Sequence, residues 1–131
     1  MINSILIGKL IYERLSANKS LKKYIGSKIF PLIAETDTTF PYVAFSKDSI
    51  TSSYSKDGCY EDTVSVQIIV ASVDYLESLE IANIVREIFE CRHYTCDELS
   101  ITDCKMYNVS EAYDDQANAF VQRLYFNFKI S

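Results

Sequence analysis

Glycine, histidine and tryptophan are scarce in this chain of 131 residues, which has three, one and none of them. Three glycines leave little room for a glycine-rich loop that could hold phosphates on backbone N–H groups. The sequence also lacks a G-x-S-x-G nucleophile elbow and an H-E-x-x-H zinc helix. His93 is its one side chain of the type that commonly serves as a base near neutral pH. We therefore expect no catalytic site and no cofactor.

Long apolar runs and large basic clusters are also missing. No apolar run approaches the roughly 18 to 20 residues that cross a bilayer. Residues 1–11 are apolar but have no basic leader and no small-residue cleavage site, so we expect a helix of the mature protein rather than a signal peptide. The formal charge is −5, and the largest basic cluster is Lys22-Lys23. We expect neither membrane insertion nor sequence-specific binding of nucleic acid.

The cysteines offer a weak case for a metal site. There are four of them: Cys59, Cys91, Cys96 and Cys104. With no secretion signal, thiols in a reducing cytosol are the expected state. Cys91, His93 and Cys96 would need a fourth ligand to hold zinc, and Cys91 with His93 could instead form a nucleophile pair. The simpler interpretation, a loop with two thiols and no metal, is the one we adopt.

A change of hydrophobic period between residues 63 and 90 predicts the central elements. Residues 63–71 alternate, with one apolar face made by Val64, Val66, Ile68 and Val70. Further on, five apolar residues have the spacing of one helix face: Ile81, Ile84, Val85, Ile88 and Phe89. Asp74, with Glu77 three residues later, is typical of a helix start. We expect this helix, over 75–90, to fold back on the strand and form the core.

The flanking segments predict a second helix and some short elements. Residues 4–16 have one apolar side and predict a helix. Residues 21–25 predict one short helical turn, which Gly26 ends because glycine tolerates the left-handed conformation. Residues 28–31 predict a short strand or extended piece, and Pro31 limits its pairing.

Four longer strands complete the predicted fold, over residues 42–55, 60–71, 99–109 and 120–130. In the third strand, one face should be apolar and should carry Leu99, Ile101, Tyr107 and Val109. A polar turn should follow over 111–118. The sheet face away from the helices should be polar, with Ser65, Gln67, Arg123, Tyr125 and Asn127. We expect one domain, residues 1–131, of the α+β class. It should have a mainly antiparallel four-stranded sheet with two helices packed on one face.

Two features of the sequence predict contacts between protein subunits. Residues 46–62 are mostly polar and contain the turn dipeptide Asp57-Gly58, so they predict a hairpin that extends beyond its own domain. The alternative is a solvated or disordered loop. Leu76 and Leu79 lie off the apolar stripe of their helix, so they either pack under a loop or form an exposed patch. The predicted interface residues are Lys47, Ile50, Tyr54, Tyr60, Leu76 and Leu79.

Several short motifs carry a resemblance to a known family. The first is the segment 24–31, which contains Gly-Ser-Lys-Ile-Phe-Pro, and the second is the segment 40–45, which opens a strand with Pro-Tyr-Val. The other two are the valine-rich strand 64–70 and the helical segment Ala82-Asn83-Ile84-Val85-Arg86. In their order, the elements of the chain resemble the tail completion, or tail-to-head joining, proteins of long-tailed phages and prophages. The chain departs from that pattern in its cysteine-bearing loop, 91–104, and its polar hairpin tip.

The resemblance implies a structural role. The chain would cap the finished tail tube as a homo-oligomeric ring, a hexamer if it matches the tail, and would join the tail to the head. Its partners would be its own copies, the tail tube protein and the head connector protein. Its place would be the tail or neck of the virion, after assembly in the host bacterial cytoplasm. The alternatives are a small non-catalytic α+β adaptor that binds a ligand or protein as a monomer or dimer, and an enzyme that uses His93 and Cys91.

Overall fold

The N-terminal helices form where apolar side chains recur at helical spacing. In the computed structural model, which describes residues 2–56, 58–90, 94–95 and 99–131, a 3-10 turn at Ser4–Leu6 leads into helix α1, Ile7–Ala17. Helix α2, Lys19–Ile25, follows at once, and the Asn18 side chain caps it by accepting the Leu21 N–H at 2.9 Å. Gly26 ends α2 at a φ of 61°. Both predicted helical segments are therefore present, and α2 is a full helix.

Helix α3, Tyr75–Phe89, is the second long helix and begins where the sequence predicts. Asp74 accepts the Leu76 N–H at 3.2 Å, which satisfies one of the unpaired donors of the first turn. The helix buries the face that points at the sheet, with Ser78, Ile81, Ala82, Val85 and Phe89.

Among the described residues, the sheet has six strands in the order β1-β2-β3-β6-β5-β4. The strands are β1 Ile29–Pro31, β2 Tyr42–Ser55, β3 Gly58–Ser72, β4 Tyr94–Thr95, β5 Ser100–Asp114 and β6 Ala119–Ile130. Strand β1 runs parallel to β2, and the other neighbours are antiparallel. The predicted sheet of four strands with two helices was therefore wrong in detail. Two short edge strands and helix α2 complete a mixed α+β fold.

The two added strands are too short to show a hydrophobic period. Strand β1 is held by backbone hydrogen bonds on either side of it. The Val43 N–H donates to the Lys28 carbonyl at 3.1 Å, and the Leu32 N–H donates to the Phe45 carbonyl at 2.7 Å. Pro31 lies at its end, on an outer strand of the sheet, where a missing N–H is tolerated. The short strand or extended piece predicted at 28–31 is therefore a strand, but its place beside β2 depends on backbone pairing, which the side-chain pattern does not reveal.

The core lies between the helices and one face of β3 and β6. Val64, Val66, Ile68 and Val70 are all fully buried on that face. The ring of Phe89 on α3 lies edge-on to Phe126 and Phe128, with 5.8 Å between centroids in each pair. The predicted packing of α3 on the central strand is confirmed.

Strand β5 differs from its prediction in register and length. Bulges between Ile101 and Asp103 and between Met106 and Asn108 change which side chains face the core. Between the two bulges the facing is reversed, so Cys104 is buried and Tyr107 reaches the polar face, where its hydroxyl lies 3.1 Å from that of Ser65. The second bulge restores the facing, because Val109 pairs with the buried Leu124 on the side of α3, although Val109 itself is exposed. The predicted single parity was therefore wrong between the bulges. The strand also continues to Asp114, through residues that the sequence assigned to a turn.

Candidate subunit interface

The end of the β2–β3 hairpin extends past the other strands. Strand β6 pairs with β3 only from Asp62, which lies opposite Ile130, while β2 and β3 stay paired to Ser55 and Gly58. Residues 52–61 are here called the hairpin arm; among the described strands they pair only with one another and, at Ser52, with Asp62. The predicted projecting hairpin is present, and the described part of the arm is paired strand rather than an irregular loop.

Asp62 fixes the base of the hairpin arm. Its side chain is 7% exposed. One carboxylate oxygen accepts the Ser4 hydroxyl at 2.6 Å, and the other accepts the Ser52 hydroxyl at 2.6 Å. These bonds tie both strands of the arm to the N-terminal 3-10 turn. The sequence analysis did not identify Asp62. Its position was nevertheless readable, because Asp62, Val64 and Val66 alternate along one strand and therefore point to the same, buried face.

The predicted interface residues of β2 and β3 have different environments. Lys47 is exposed and its ammonium donates to the Ile5 carbonyl at 3.2 Å. Ile50 is partly buried against the core. Tyr54, in the arm, is 73% exposed and offers the largest apolar surface there. The side chain of Tyr60 lies outside the described part of the chain.

Leu76 and Leu79 lie on the outer side of α3, off its buried stripe, as the sequence predicts. Leu76 is 65% exposed, so it does not pack under a loop. Leu79, at 38%, lines a groove between α3 and the edge strand β5. This α3–β5 groove has a volume of about 160 Å³ and is lined by Leu79, Ala82, Asn83, Arg86, Met106, Val109, Gln122 and Leu124.

A second cavity lies beside the groove, where β5 passes the start of α3. This aromatic pocket of about 240 Å³ is lined by Tyr75, Glu111, Ala112, Tyr113, Phe120 and Gln122. The Phe120 ring lies edge-on to Tyr75 at 5.3 Å and to Tyr113 at 5.0 Å. The pocket therefore has aromatic walls and one carboxylate, that of Glu111.

Hydrogen bonds hold Glu111 in place within the aromatic pocket. Its carboxylate accepts the Tyr75 hydroxyl at 3.1 Å and the Gln122 amide at 3.0 Å. The bond to Glu111 raises the pKa of Tyr75, because it favours the protonated phenol, and the charge of Glu111 adds to the effect. Gln122 is buried and its amide also donates to the Ser78 hydroxyl at 3.3 Å. The sequence did not indicate this pocket, because Glu111 and Tyr113 lie in a segment for which it predicts a turn.

The sheet face away from the helices is polar and partly exposed, as expected. Hydrogen bonds cross from strand to strand on it. The Ser65 hydroxyl donates to the Asn127 side chain at 3.2 Å and lies 3.1 Å from the Tyr107 hydroxyl, and the Gln67 amide donates to the Tyr125 hydroxyl at 3.3 Å. These residues and Arg123 are all half-buried or exposed. The predicted polar face is present.

The described residues offer no cluster of three or more histidine, cysteine or acidic side chains that could hold a metal ion. Cys91, His93 and Cys96 lie outside the described residues, so the hypotheses that use them remain predictions. Cys104 is a thiol buried in the core. No helix in the described parts of the chain is long and apolar enough to span a bilayer.

Comparison with known proteins yields a structural match. No protein-family model and no curated protein matches the chain. A chain of the solved structure described as "Virion of native gene transfer agent (GTA) particle" superposes with a TM-score of 0.80 at 13% identity. The match covers 92% of this chain and 90% of that one. At this identity the likeness shows that the two chains share a fold.

Proposed function

We propose that this chain is a structural, non-catalytic protein of a phage-like virion. Its copies form a ring that caps the tail tube and joins it to the head connector. Two independent lines support the proposal. The fold matches a chain of a gene transfer agent virion over nearly its whole length. The motifs 24–31 and 40–45, and the order of elements, resemble tail completion proteins.

The hairpin arm is the observation that carries the proposal. Its described backbone is paired strand outside the turn, its base is held through Asp62, and among the described strands it pairs only within the hairpin. The exposed side chains of Ser53, Tyr54 and Lys56 lie past the last pair between β3 and β6, so the arm suits contact with a neighbouring copy. A ring needs two different surfaces on each copy, one that reaches out and one that receives.

The test compares the assembly of the intact chain with that of an arm-deleted variant. Residues 53–61 are replaced by Asn-Gly, a two-residue turn that closes hairpins, between the paired Ser52 and Asp62. Sedimentation velocity and native mass spectrometry measure assembly in solution, and co-sedimentation measures binding to purified tail tubes. We expect a single closed ring, of six copies if the ring matches the tail, for the intact chain. The arm-deleted variant should remain monomeric with an unchanged circular dichroism spectrum.

The outcome that contradicts the proposal is equally clear. An intact chain that stays monomeric or dimeric in solution, and that does not bind tail tubes, is not a ring-forming tail protein. The control variant is Glu35→Lys, in an exposed loop away from the arm, which should assemble as the intact chain does.

The aromatic pocket favours a second candidate, a binding adaptor that acts as a monomer or dimer. A cavity of about 240 Å³ with aromatic walls and one carboxylate is a fit for a small cationic group. For that function, the protein would remain monomeric or dimeric at every concentration in the same sedimentation experiment. Arm deletion would then leave ligand binding unchanged.

A further inference from the structure

We propose that the aromatic pocket receives the ammonium group of Lys56 from the hairpin arm of a neighbouring copy. This inference rests on the proposed ring, because it needs a second copy of the chain. The inference identifies the aromatic pocket as the surface that receives the hairpin arm of the neighbouring copy. The proposed function names no residues for that surface.

The walls of the aromatic pocket are suited to a cation. The rings of Tyr75, Tyr113 and Phe120 meet edge to face at 5.0 and 5.3 Å, and aromatic faces attract ammonium groups. The Glu111 carboxylate accepts bonds from a neutral hydroxyl and a neutral amide, so its charge is oriented but not neutralised. The volume of about 240 Å³ is several times the roughly 30 Å³ that one liquid water occupies, so a side chain can enter.

The pocket has no cation from the segments that form it. Residues 57–85 and 106–122 contain no lysine and no arginine. Around the pocket, residues 74–80 and 111–115 carry six carboxylates, at Asp74, Glu77, Glu80, Glu111, Asp114 and Asp115. The nearest basic residues in sequence lie elsewhere. Arg86 pairs with Glu90, and Lys105 lies within 3.7 Å of Asp103. Arg123 follows the pocket residue Gln122 in β6 and therefore points to the opposite face of the sheet. A cation in the pocket must therefore come from another part of this chain or from another molecule.

Lys56 is the cation that the fold presents for this purpose. It is the single basic residue between residues 48 and 85, and it lies exposed beside the turn of the hairpin arm. Four residues beyond Ser52, at about 3.3 Å per residue, place it about 13 Å past the base of the arm. The aromatic pocket lies at the other end of the same sheet, where Phe120 pairs with Ser72. One copy therefore cannot fill its own pocket with Lys56, but a head-to-tail neighbour can.

Charge reversal at both positions tests the pairing. Lys56→Glu and Glu111→Lys are measured alone and together by sedimentation equilibrium. We expect each single variant to weaken ring assembly about tenfold or more, as close charge pairs at interfaces do. The double variant should recover most of that loss, because the two charges are exchanged. Lys19→Glu and Glu35→Lys, at exposed positions outside the hairpin arm and outside the lining of the pocket, are matched controls and should assemble normally.

Two further variants keep the test decisive. Glu111→Lys also removes the acceptor of Tyr75 and Gln122, so thermal melting checks its fold and Glu111→Gln, which keeps an acceptor but not the charge, replaces it if it unfolds. Tyr113→Ala removes one aromatic wall and should weaken assembly without a change in the melting temperature of the monomer.

The possible failures point to different errors. If both single variants assemble as the intact chain does while arm deletion abolishes the ring, the ring stands and the pairing of Lys56 with the pocket is wrong. If single variants weaken assembly but the double variant does not recover, the two residues do not meet and the inference is also overturned. If the intact chain never assembles, alone or on tail tubes, both the proposed function and this inference fall.

Discussion

The anchoring of the hairpin arm by Asp62 makes a sharp prediction about stability. Replacing Asp62 with alanine removes two hydrogen bonds to a carboxylate, each 2.6 Å long, from Ser4 and Ser52. It also leaves the Ser4 hydroxyl, which is 2% exposed, without this acceptor. Hydrogen bonds to charged groups contribute about 1.5 to 3 kcal/mol each, and a buried donor without a partner costs about 1 to 3 kcal/mol.

The magnitude follows from these contacts. The lower end of the range for two hydrogen bonds to a charged group is about 3 kcal/mol. The unfavourable burial of the carboxylate, which the change relieves, offsets the cost of the unpaired Ser4 donor, so the expected loss for Asp62→Ala is about 3 kcal/mol. With an unfolding entropy of about 2.1 cal/mol/K per residue, a chain of this length has roughly 0.28 kcal/mol/K, so the melting temperature should fall by about 11 °C. Asp62→Asn, which keeps one acceptor, should lose about half as much.

Urea unfolding followed by circular dichroism measures the free energy, and calorimetry measures the melting temperature. The matched control is Asp48→Ala in the same hairpin, where an exposed carboxylate accepts the Ser46 hydroxyl at 3.4 Å; its cost should stay below about 0.5 kcal/mol. Ser4→Ala combined with Asp62→Ala should cost less than the sum of the two single changes. A loss at Asp62 no larger than that at Asp48 would refute the reasoning that the arm has a fixed base.

Three more predictions concern α3. Phe89→Ala, which removes a fully buried ring between two others, should cost about 3 to 5 kcal/mol in urea unfolding. In the double variant Leu76→Ser/Leu79→Ser, the free energy of unfolding should change by less than about 0.5 kcal/mol per site, because both side chains are exposed. The same variant should weaken ring assembly, measured by sedimentation. The Tyr24 hydroxyl donates to Glu80 at 2.6 Å, which raises the pKa of Tyr24, so Glu80→Gln should lower that pKa in a titration of carbon-13-labelled tyrosine.

The sign of the Tyr24 effect follows from linkage. The folded protein favours the neutral phenol, so it binds the proton more tightly than the unfolded chain does. The stabilising contact is therefore fully present below the unfolded pKa of about 10 and is lost as the pH rises through the folded value. A Tyr24 titration that Glu80→Gln does not change would contradict the hydrogen bond.

The other two predictions also have contrary results. A loss below about 1 kcal/mol for Phe89→Ala would mean that α3 does not pack on the sheet as described. A double leucine variant that assembles with unchanged affinity would remove the outer side of α3 from the interface, and the arm alone would remain.

The sequence predicted the parts of the fold in which one element buries one regular face. Alternation over 63–71 and a helical stripe over 81–89 follow from burial on one side, and the structure has both. The start of α3 at Asp74 and the end of α2 at Gly26 were predictable because each depends only on residues within one turn of its own helix.

The parts that could not be predicted depend on backbone pairing or on tertiary contacts. The sequence predicts a short strand or extended piece at 28–31 but not its parallel pairing with β2. The two bulges of β5 reverse the facing of the residues between them, so that strand follows no single hydrophobic period. Of the turn predicted over 111–118, residues 111–114 are strand because β6 supplies their backbone partners, whatever the polarity of their side chains, and residues 115–118 form the turn. The aromatic pocket joins Tyr75 at a helix start to Phe120 on the last strand, a proximity that only the folded sheet creates.

The cross-strand hydrogen bonds on the face of the sheet away from the helices limit how strongly that face can bind another molecule. Ser65, Gln67, Tyr125 and Asn127 already satisfy one another, so an incoming molecule would exchange bonds rather than gain them. If the chain assembles as proposed, we expect this side to contribute less to contacts between copies than the arm and the side that carries α3.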